Sequence, residues 1–392
     1  MKMKRIKICD VSEQIRGVSY KPTDIHAELN KNSVILLRAN NISDGKINFD
    51  EVVYVDKSKV SKKQYLKKGD ILICASSGSK QLVGKAASVN FDVECTFGAF
   101  CKVVRPCEGF SDYLGVYFQS DIYRRRISEL SLGANINNIK NEHIDLLEIP
   151  FCDETETDKF VHSISKVQEI IDKRKQQLQQ LDELVKARFV EIFGDPVLNP
   201  YNWDVVTIGD VVTDVRYGTS KPAVEGGKYP YLRMNNLTYD GHLDLSGMKY
   251  IDIPDNEIEK CIVRKGDVLF NRTNSIELVG KTCVFDLDDE MVIAGYIIRV
   301  RLNEKLLPIV LSSYMNSTVL KKQLRNMAKG AVNQANINAQ ELQSIKIYLP
   351  PIELQNQFTA FVEQTDKSKV AVQKALDEAQ TLFDSLMQEY FG

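Results

Sequence analysis

Residues 155–194 read TETDKFVHSISKVQEIIDKRKQQLQQLDELVKARFVEIFG, with no Pro or Gly before the last position. Ile164, Ile171, Leu178, Val185 and Ile192 recur every seven residues, and Val167 and Leu181 supply part of a second apolar row. This pattern predicts one long helix with a narrow apolar seam. Thr155 or Thr157 is expected to cap its start, and Gly194-Asp195-Pro196 to end it. At 1.5 Å per residue such a rod is roughly 60 Å long, too long to bury its seam on itself. It needs a partner. Residues 352–392 offer one, being free of Pro and Gly until Gly392. Phe358, Phe361, Val362, Thr365, Val372, Ala375, Leu376, Ala379, Leu382, Phe383 and Leu386 recur there at helical spacing. Both rods end in Phe-Gly, and the shared ending argues for a paired, exposed coiled coil.

Outward from the rods, the rest of the chain is a repeat. Leu37-Arg38-Ala39-Asn40-Asn41-Ile42 matches Leu232-Arg233-Met234-Asn235-Asn236-Leu237. Lys68-Gly69-Asp70-Ile71-Leu72 matches Lys265-Gly266-Asp267-Val268-Leu269, and Leu82-Val83-Gly84-Lys85 matches Leu278-Val279-Gly280-Lys281. Each copy closes on a short apolar run ending in Pro150 or Pro350. The chain therefore divides into a domain (1–152), a rod (153–194), a second domain (195–351) and a second rod (352–392). Strands are expected at 52–55, 70–75, 99–104 and 292–302, helices over 113–130 and 309–328, and turns at Asp44-Gly45 and Asp240-Gly241. The fold class is α+β, with mostly antiparallel strands.

Composition narrows the function. No apolar run approaches the ~18 residues of a membrane span, and the start MKMKRIKICD lacks the apolar stretch of a signal peptide. Eight scattered cysteines form no C-x-x-C pair, which predicts reduced thiols and a cytoplasmic protein. Residues 1–150 carry 23 Lys+Arg against 18 Asp+Glu and residues 199–351 carry 18 against 18, while the rods are acidic. The four His lie apart, with no metal-ligand spacing and no nucleophile triad. Residues 275–282 resemble a phosphate-binding loop without its first Gly, but a strand rather than a helix is expected to follow, which excludes nucleotide binding.

Two domains alternating with two long helices, carrying K-G-D-[IV]-L and L-V-G-K motifs, resemble the specificity subunit of type I restriction-modification systems. Phe193-Gly194-Asp195-Pro196 with Asn199-Pro200 is similar to that family's link into its second domain. The resemblance covers the whole chain. It implies two target-recognition domains, each reading one half of a bipartite site on double-stranded DNA. It implies an antiparallel helix pair that holds them apart and docks two methyltransferase subunits. It implies no catalysis and no cofactor on this chain. S-adenosylmethionine, ATP and magnesium belong to the methyltransferase and restriction subunits.

The residues nominated for DNA contact follow from chemistry and from recurrence. Arg38, Asn40 and Asn41, with Arg233, Asn235 and Asn236, follow a strand in both copies; Arg pairs bidentately with guanine and Asn with adenine. The alternative is a turn whose Asn side chains satisfy the backbone. After K-G-D-[IV]-L the copies differ, with Ser77, Ser79 and Lys80 against Arg272, Thr273 and Asn274; a constant strand with a changing loop suits two different half-sites. Lys85 and Lys281 are expected at phosphates. Tyr20 and Lys21, like Tyr217, Thr219 and Lys221, sit on basic aromatic loops at matching places. Arg124 and Arg125 lie on a basic helix, with Lys321 and Lys322 on its counterpart, and these helices precede the amide-rich segments of Asn135 and Asn137, or of Asn333 and Gln334. Two other classes fit less: a metal-dependent nucleic-acid-processing enzyme with dispersed carboxylates, and a coiled-coil adaptor that binds no DNA.

Overall fold

The computed structural model describes residues 4–79, 82–131, 138–331 and 334–392, and its contacts group the chain into two compact units, residues 1–175 with 374–392 and residues 176–373. In the first unit an antiparallel sheet runs in the order Ser12–Arg16, Cys101–Pro106, Ile71–Cys74, Ala86–Ser88. A second sheet runs Cys95–Phe97, Ser33–Leu37, Val53–Asp56, Ile25–His26, and its first pair is parallel. Lys4–Lys7 pairs antiparallel with Glu148–Phe151.

The second unit repeats this plan. One sheet is Val212–Tyr217, Ile297–Leu302, Val268–Asn271, Thr282–Val284. The other is Lys249–Ile251, Tyr229–Leu232, Met291–Ile293, Ile262–Val263, with a parallel middle pair. Asp204–Thr207 pairs with Lys346–Leu349.

The strand after each K-G-D turn explains the layering. All four residues of Ile71–Cys74 are buried, because the strand is covered on both faces. Ile71 and Ile73 face a core that holds Tyr113, Leu114 and Tyr117, while Leu72 and Cys74 face one that holds Leu37 and Phe97 of the other sheet. Val268 and Phe270 divide from Leu269 in the same way. A strand apolar at every position is what two-sided burial requires.

Each expected helix is two. Ser111–Gln119 is followed by Asp121–Ser131, and Pro308–Asn316 by Thr318–Met327. The break falls on serines in extended backbone, Ser120 and Ser317. Ser120 Oγ accepts from Tyr123 N at 3.1 Å and Ser317 Oγ from Leu320 N at 3.3 Å, so each serine caps the helix after it.

The long helices are Glu154–Phe193 and Ile352–Phe391. The cap of the first is Asp153, whose Oδ1 accepts from Glu156 N at 2.9 Å, rather than a threonine. Thr157 is buried instead, with its hydroxyl 3.2 Å from that of Tyr390. The helices pair antiparallel within each unit. In the first unit Phe160 stacks on Tyr390 with centroids 3.8 Å apart, and in the second Phe189 and Phe193 close on Phe358 at 5.5 and 5.3 Å. Ile164, Val167 and Ile171 are buried along the seam. Leu382 is not; it is exposed, and Met387 and Phe391 are the buried residues of that end. The repeated Phe-Gly endings now have a reason. Phe193 enters the core of the second unit, and Phe391 enters that of the first beside Tyr113 and Tyr117. Burying one such ring contributes about 1.5–3 kcal/mol. After Gly194, Trp203 Nε1 donates to the Phe193 carbonyl at 3.0 Å, which fixes the entry into strand Asp204–Thr207.

Among the described residues no helix is long and apolar enough to cross a membrane. All eight cysteines are free thiols.

Candidate nucleic-acid interface

Much of what the two copies share is framework. Asp70 is buried and forms a bidentate pair with Arg105, Nε to Oδ1 at 2.8 Å and Nη2 to Oδ2 at 2.7 Å, while Oδ2 also accepts from Lys67 N. Asp267 holds Arg301 and the Arg264 backbone in the same way. Gly69 and Gly266 have φ of 89° and 92°, a conformation glycine adopts without strain. The K-G-D turn is therefore an aspartate clamp that starts the central strand, and Arg105 and Arg301, unremarked in the sequence, complete it.

The two Asn pairs split. Asn41 Oδ1 accepts from Arg38 N at 2.8 Å and its Nδ2 donates to the Asp50 carbonyl at 2.7 Å; Asn236 does the same with Arg233 N at 2.9 Å and the Asp244 carbonyl at 2.8 Å. Both are buried, so their amides hold the turn and offer no edge to a base. Asn40 and Asn235 beside them are exposed. Arg38 and Arg233 lie half-buried, each donating through Nη2 to a loop carbonyl, Glu51 at 2.7 Å and Gly247 at 2.9 Å.

The L-V-G-K turns are framework too. Arg124 Nη1 donates to the Val83 carbonyl, and Lys321 Nζ to the Gly280 carbonyl, both at 2.8 Å. Burial pushes the Lys321 ammonium down to about 7, and it lies over the Tyr239 ring. Arg124 and Lys321 thus act inside the fold. Lys281 is buried as well, and burial lowers its pKa, whereas Lys85 is half-buried and Arg125 and Lys322 are exposed. Thr282–Val284 after the second turn is a strand, which confirms that no phosphate-binding helix begins there.

Among the described residues, the loops that carry the other nominated positions come together at one rim in each unit. In the first, Val18 N donates to the Phe97 carbonyl at 2.8 Å, Gly98 N to that of Leu37 at 2.9 Å, and Ala75 N and Ser76 N to that of Phe100 at 2.9 and 3.0 Å. In the second, Thr219 N donates to Ile293, Ala294 N to Leu232, and Arg272 N to Tyr296, each at 2.9 Å. The loops that follow four strands are thereby knitted to one central crossing. A Cβ on Gly17 would lie 2.1 Å from the Gly98 carbonyl oxygen, and one on Gly218 2.2 Å from that of Ile293, so the approach requires glycine in both.

On this rim Lys21 and Ser79 are exposed, and Tyr20 and Ser77 half-buried. Tyr217 is exposed, and its hydroxyl accepts from Ala339 N at 2.8 Å. The Arg272 guanidinium lies 4.9 Å over its ring. Lys221 pairs with Glu257 at 2.8 Å, and Thr219 Oγ1 accepts from Lys221 N. Residues 272–275, expected as a loop, contain strand Thr273–Asn274, which pairs with Gln334–Asn336. Thr273 is buried and donates to Asn336 Oδ1 at 2.8 Å, while Asn274 Nδ2 donates to Asn271 Oδ1. The expected strand over 292–302 is two, Met291–Ile293 and Ile297–Leu302, because Ala294-Gly295-Tyr296 is the crossing itself. Lys80, Asn135, Asn137 and Asn333 lie outside the described residues, and Gln334 is placed only as the start of its strand. Among the described residues no cluster of His, Cys, Asp or Glu could hold a metal ion.

Comparison with known proteins agrees with this architecture. Residues 200–379 match the family described as type I restriction modification DNA specificity domain. The chain is 30% identical over 405 residues to the type I restriction enzyme EcoKI specificity subunit of Escherichia coli (strain K12), covering 98% of this chain and 87% of that one. It is 29% identical over 397 residues to the StySPI specificity subunit of Salmonella potsdam, covering 97% and 86%. The fold is similar to the crystal structure of the type I restriction-modification system S subunit from M. genitalium, with TM-score 0.55 at 14% identity over 100% of this chain and 96% of that one. It is equally similar to a chain from a structural study of complex assembly and conformational transition in the type I R-M system, with TM-score 0.56 at 18% identity over 99% and 97%. The chain belongs to the specificity subunits of type I restriction-modification systems.

Proposed function

We propose that each unit of this chain reads one half of a bipartite site on double-stranded DNA through its rim of loops. The long helix pair sets the distance between the half-sites and docks two adenine-methyltransferase subunits. With restriction subunits the assembly directs ATP-dependent cleavage of unmethylated DNA. The chain itself is the reader in the cytoplasm; S-adenosylmethionine, ATP and magnesium are bound by its partners.

One observation carries this reading. The same knitted rim occurs twice, tied to the crossing by equivalent backbone hydrogen bonds, while the side chains differ: Ala75 stands where Arg272 does, and Ser77 where Asn274 does. One frame with two contents is what reading two unlike half-sites demands. Exposed apolar residues on the long helices, Ile170, Leu184, Val190, Val370 and Leu382, support a docking role for them. Replacing residues 76–80 with a different loop of equal length should change one half of the methylated motif and leave the other intact. A change in both halves would contradict the two-reader assignment.

A further inference from the structure

Phe100 and Tyr296 occupy the crossing to which the neighbouring loops are bonded. Their backbones are pinned: the Phe100 carbonyl accepts from Ala75 N and Ser76 N, and the Tyr296 carbonyl accepts from Arg272 N at 2.9 Å and from Asn271 Nδ2 at 3.1 Å. Phe100 is 71% exposed and Tyr296 49% exposed. Holding a benzyl ring in water on a fixed backbone forgoes the stabilisation that burial would bring. Doing so at the same place in both units, where the polar residues beside it differ, is hard to reconcile with chance.

We propose that Phe100 and Tyr296 are DNA-contacting residues that insert as wedges between base pairs, one in each half-site, each stacking on a base face that the opened step exposes. This inference rests on the DNA-reading function above. Phenylalanine has no hydrogen-bonding group, so Phe100 cannot read a base edge by donor and acceptor pattern. In a duplex the base faces are covered, so the ring must first unstack one step at a cost of about a few kcal/mol; every base then offers it a π-face whatever the sequence. The rim then divides its work. The ring supplies a sequence-independent anchor at the centre, and the changing polar side chains around it discriminate. Tyrosine and phenylalanine both offer a π-face, so either ring can fill such a role.

The test uses the full-length chain and a duplex carrying its bipartite motif, with 2-aminopurine placed in turn through each half-site. Phe100→Ala should bind roughly 5- to 100-fold more weakly, by analogy with loss of one base–aromatic stack. It should also abolish the 2-aminopurine emission change in one half-site only. Tyr296→Ala should do so in the other half-site. Phe100→Tyr and Tyr296→Phe should bind as wild type, whereas Phe100→Leu should not. Thermal melting should be unaltered in the Phe100 variants, because that ring is mostly in solvent. If the wild-type chain binds the duplex and Phe100→Ala binds equally well, the stacking role is wrong. If Phe100→Leu matches wild type, an aromatic face is not what the site uses. If the wild-type chain fails to bind, the DNA-reading function itself falls, and this inference with it.

Discussion

Asn40 and Asn41 are chemically identical neighbours that the fold uses in opposite ways. Both copies carry the pair, and the recurrence drew both into the nominated site. Burial separates them: Asn41 and Asn236 tie a strand end to a returning loop, and Asn40 and Asn235 are exposed. Asn41→Ala should lower stability by about 1–3 kcal/mol, because it strands the Arg38 amide and the Asp50 carbonyl. Asn40→Ala should leave the urea midpoint unchanged and affect only DNA binding. Asp182 accepts from Lys369 Nζ at 2.7 Å and lies 3.7 Å from His242 Nε2. Its close contacts with His242 and Lys369 hold its carboxyl down to about 2, and the same contact with Asp182 raises the His242 pKa. The Asp182 contribution is present above its unfolded pKa near ~3.9 and is lost as pH falls toward 2. The His242 contribution runs the other way, full below its unfolded pKa near ~6.5 and lost as pH rises through the raised value. Titration of His242 by NMR should give a pKa above that of a free histidine, and Asp182→Asn should bring it down.

At the scale of elements, periodicity revealed what has a period. The heptad row buries Ile164 and Ile171 in the seam and packs Val185, partly buried, against the second unit's core, and the shared motifs start the central strands. Breaks inside elements were missed because the apolar pattern runs through them. Ser120 and Ser317 stop and restart helices by capping, and Ala294-Gly295-Tyr296 bends one apolar run into two strands. Phe391 was missed as a core residue because its partners, Tyr113 and Tyr117, lie far away in sequence. Phe391→Ala should cost about 3–5 kcal/mol. The loss should be local: hydrogen exchange should rise in the helices Ser111–Gln119 and Asp121–Ser131, with Val268–Asn271 still protected. Phe193→Ala should invert that result.

At the scale of the whole molecule, the internal repeat made the architecture legible in the sequence. Two copies of one motif set, each followed by a rod with the same ending, admit few arrangements. The chemistry was harder to read, because residues that recur for stability and residues that recur for binding look alike in a single sequence. Asp70 and Asp267 recur to hold Arg105 and Arg301; Phe100 and Tyr296 recur while exposed. If the helix pair sets the distance between half-sites, removing residues 173–179 together with 370–376 should shorten it by about 10 Å, or roughly 3 base pairs. Both half-sites should keep their sequences while the spacer contracts. The most direct measurement is a map of N6-methyladenine in the source cell with and without this gene, its partner subunits present in both. The account predicts that one bipartite motif, two short specific blocks around a fixed non-specific spacer, loses its methylation when the gene is removed. Loss of a single uninterrupted motif, or a map unchanged while the partner methyltransferase is active, would contradict it.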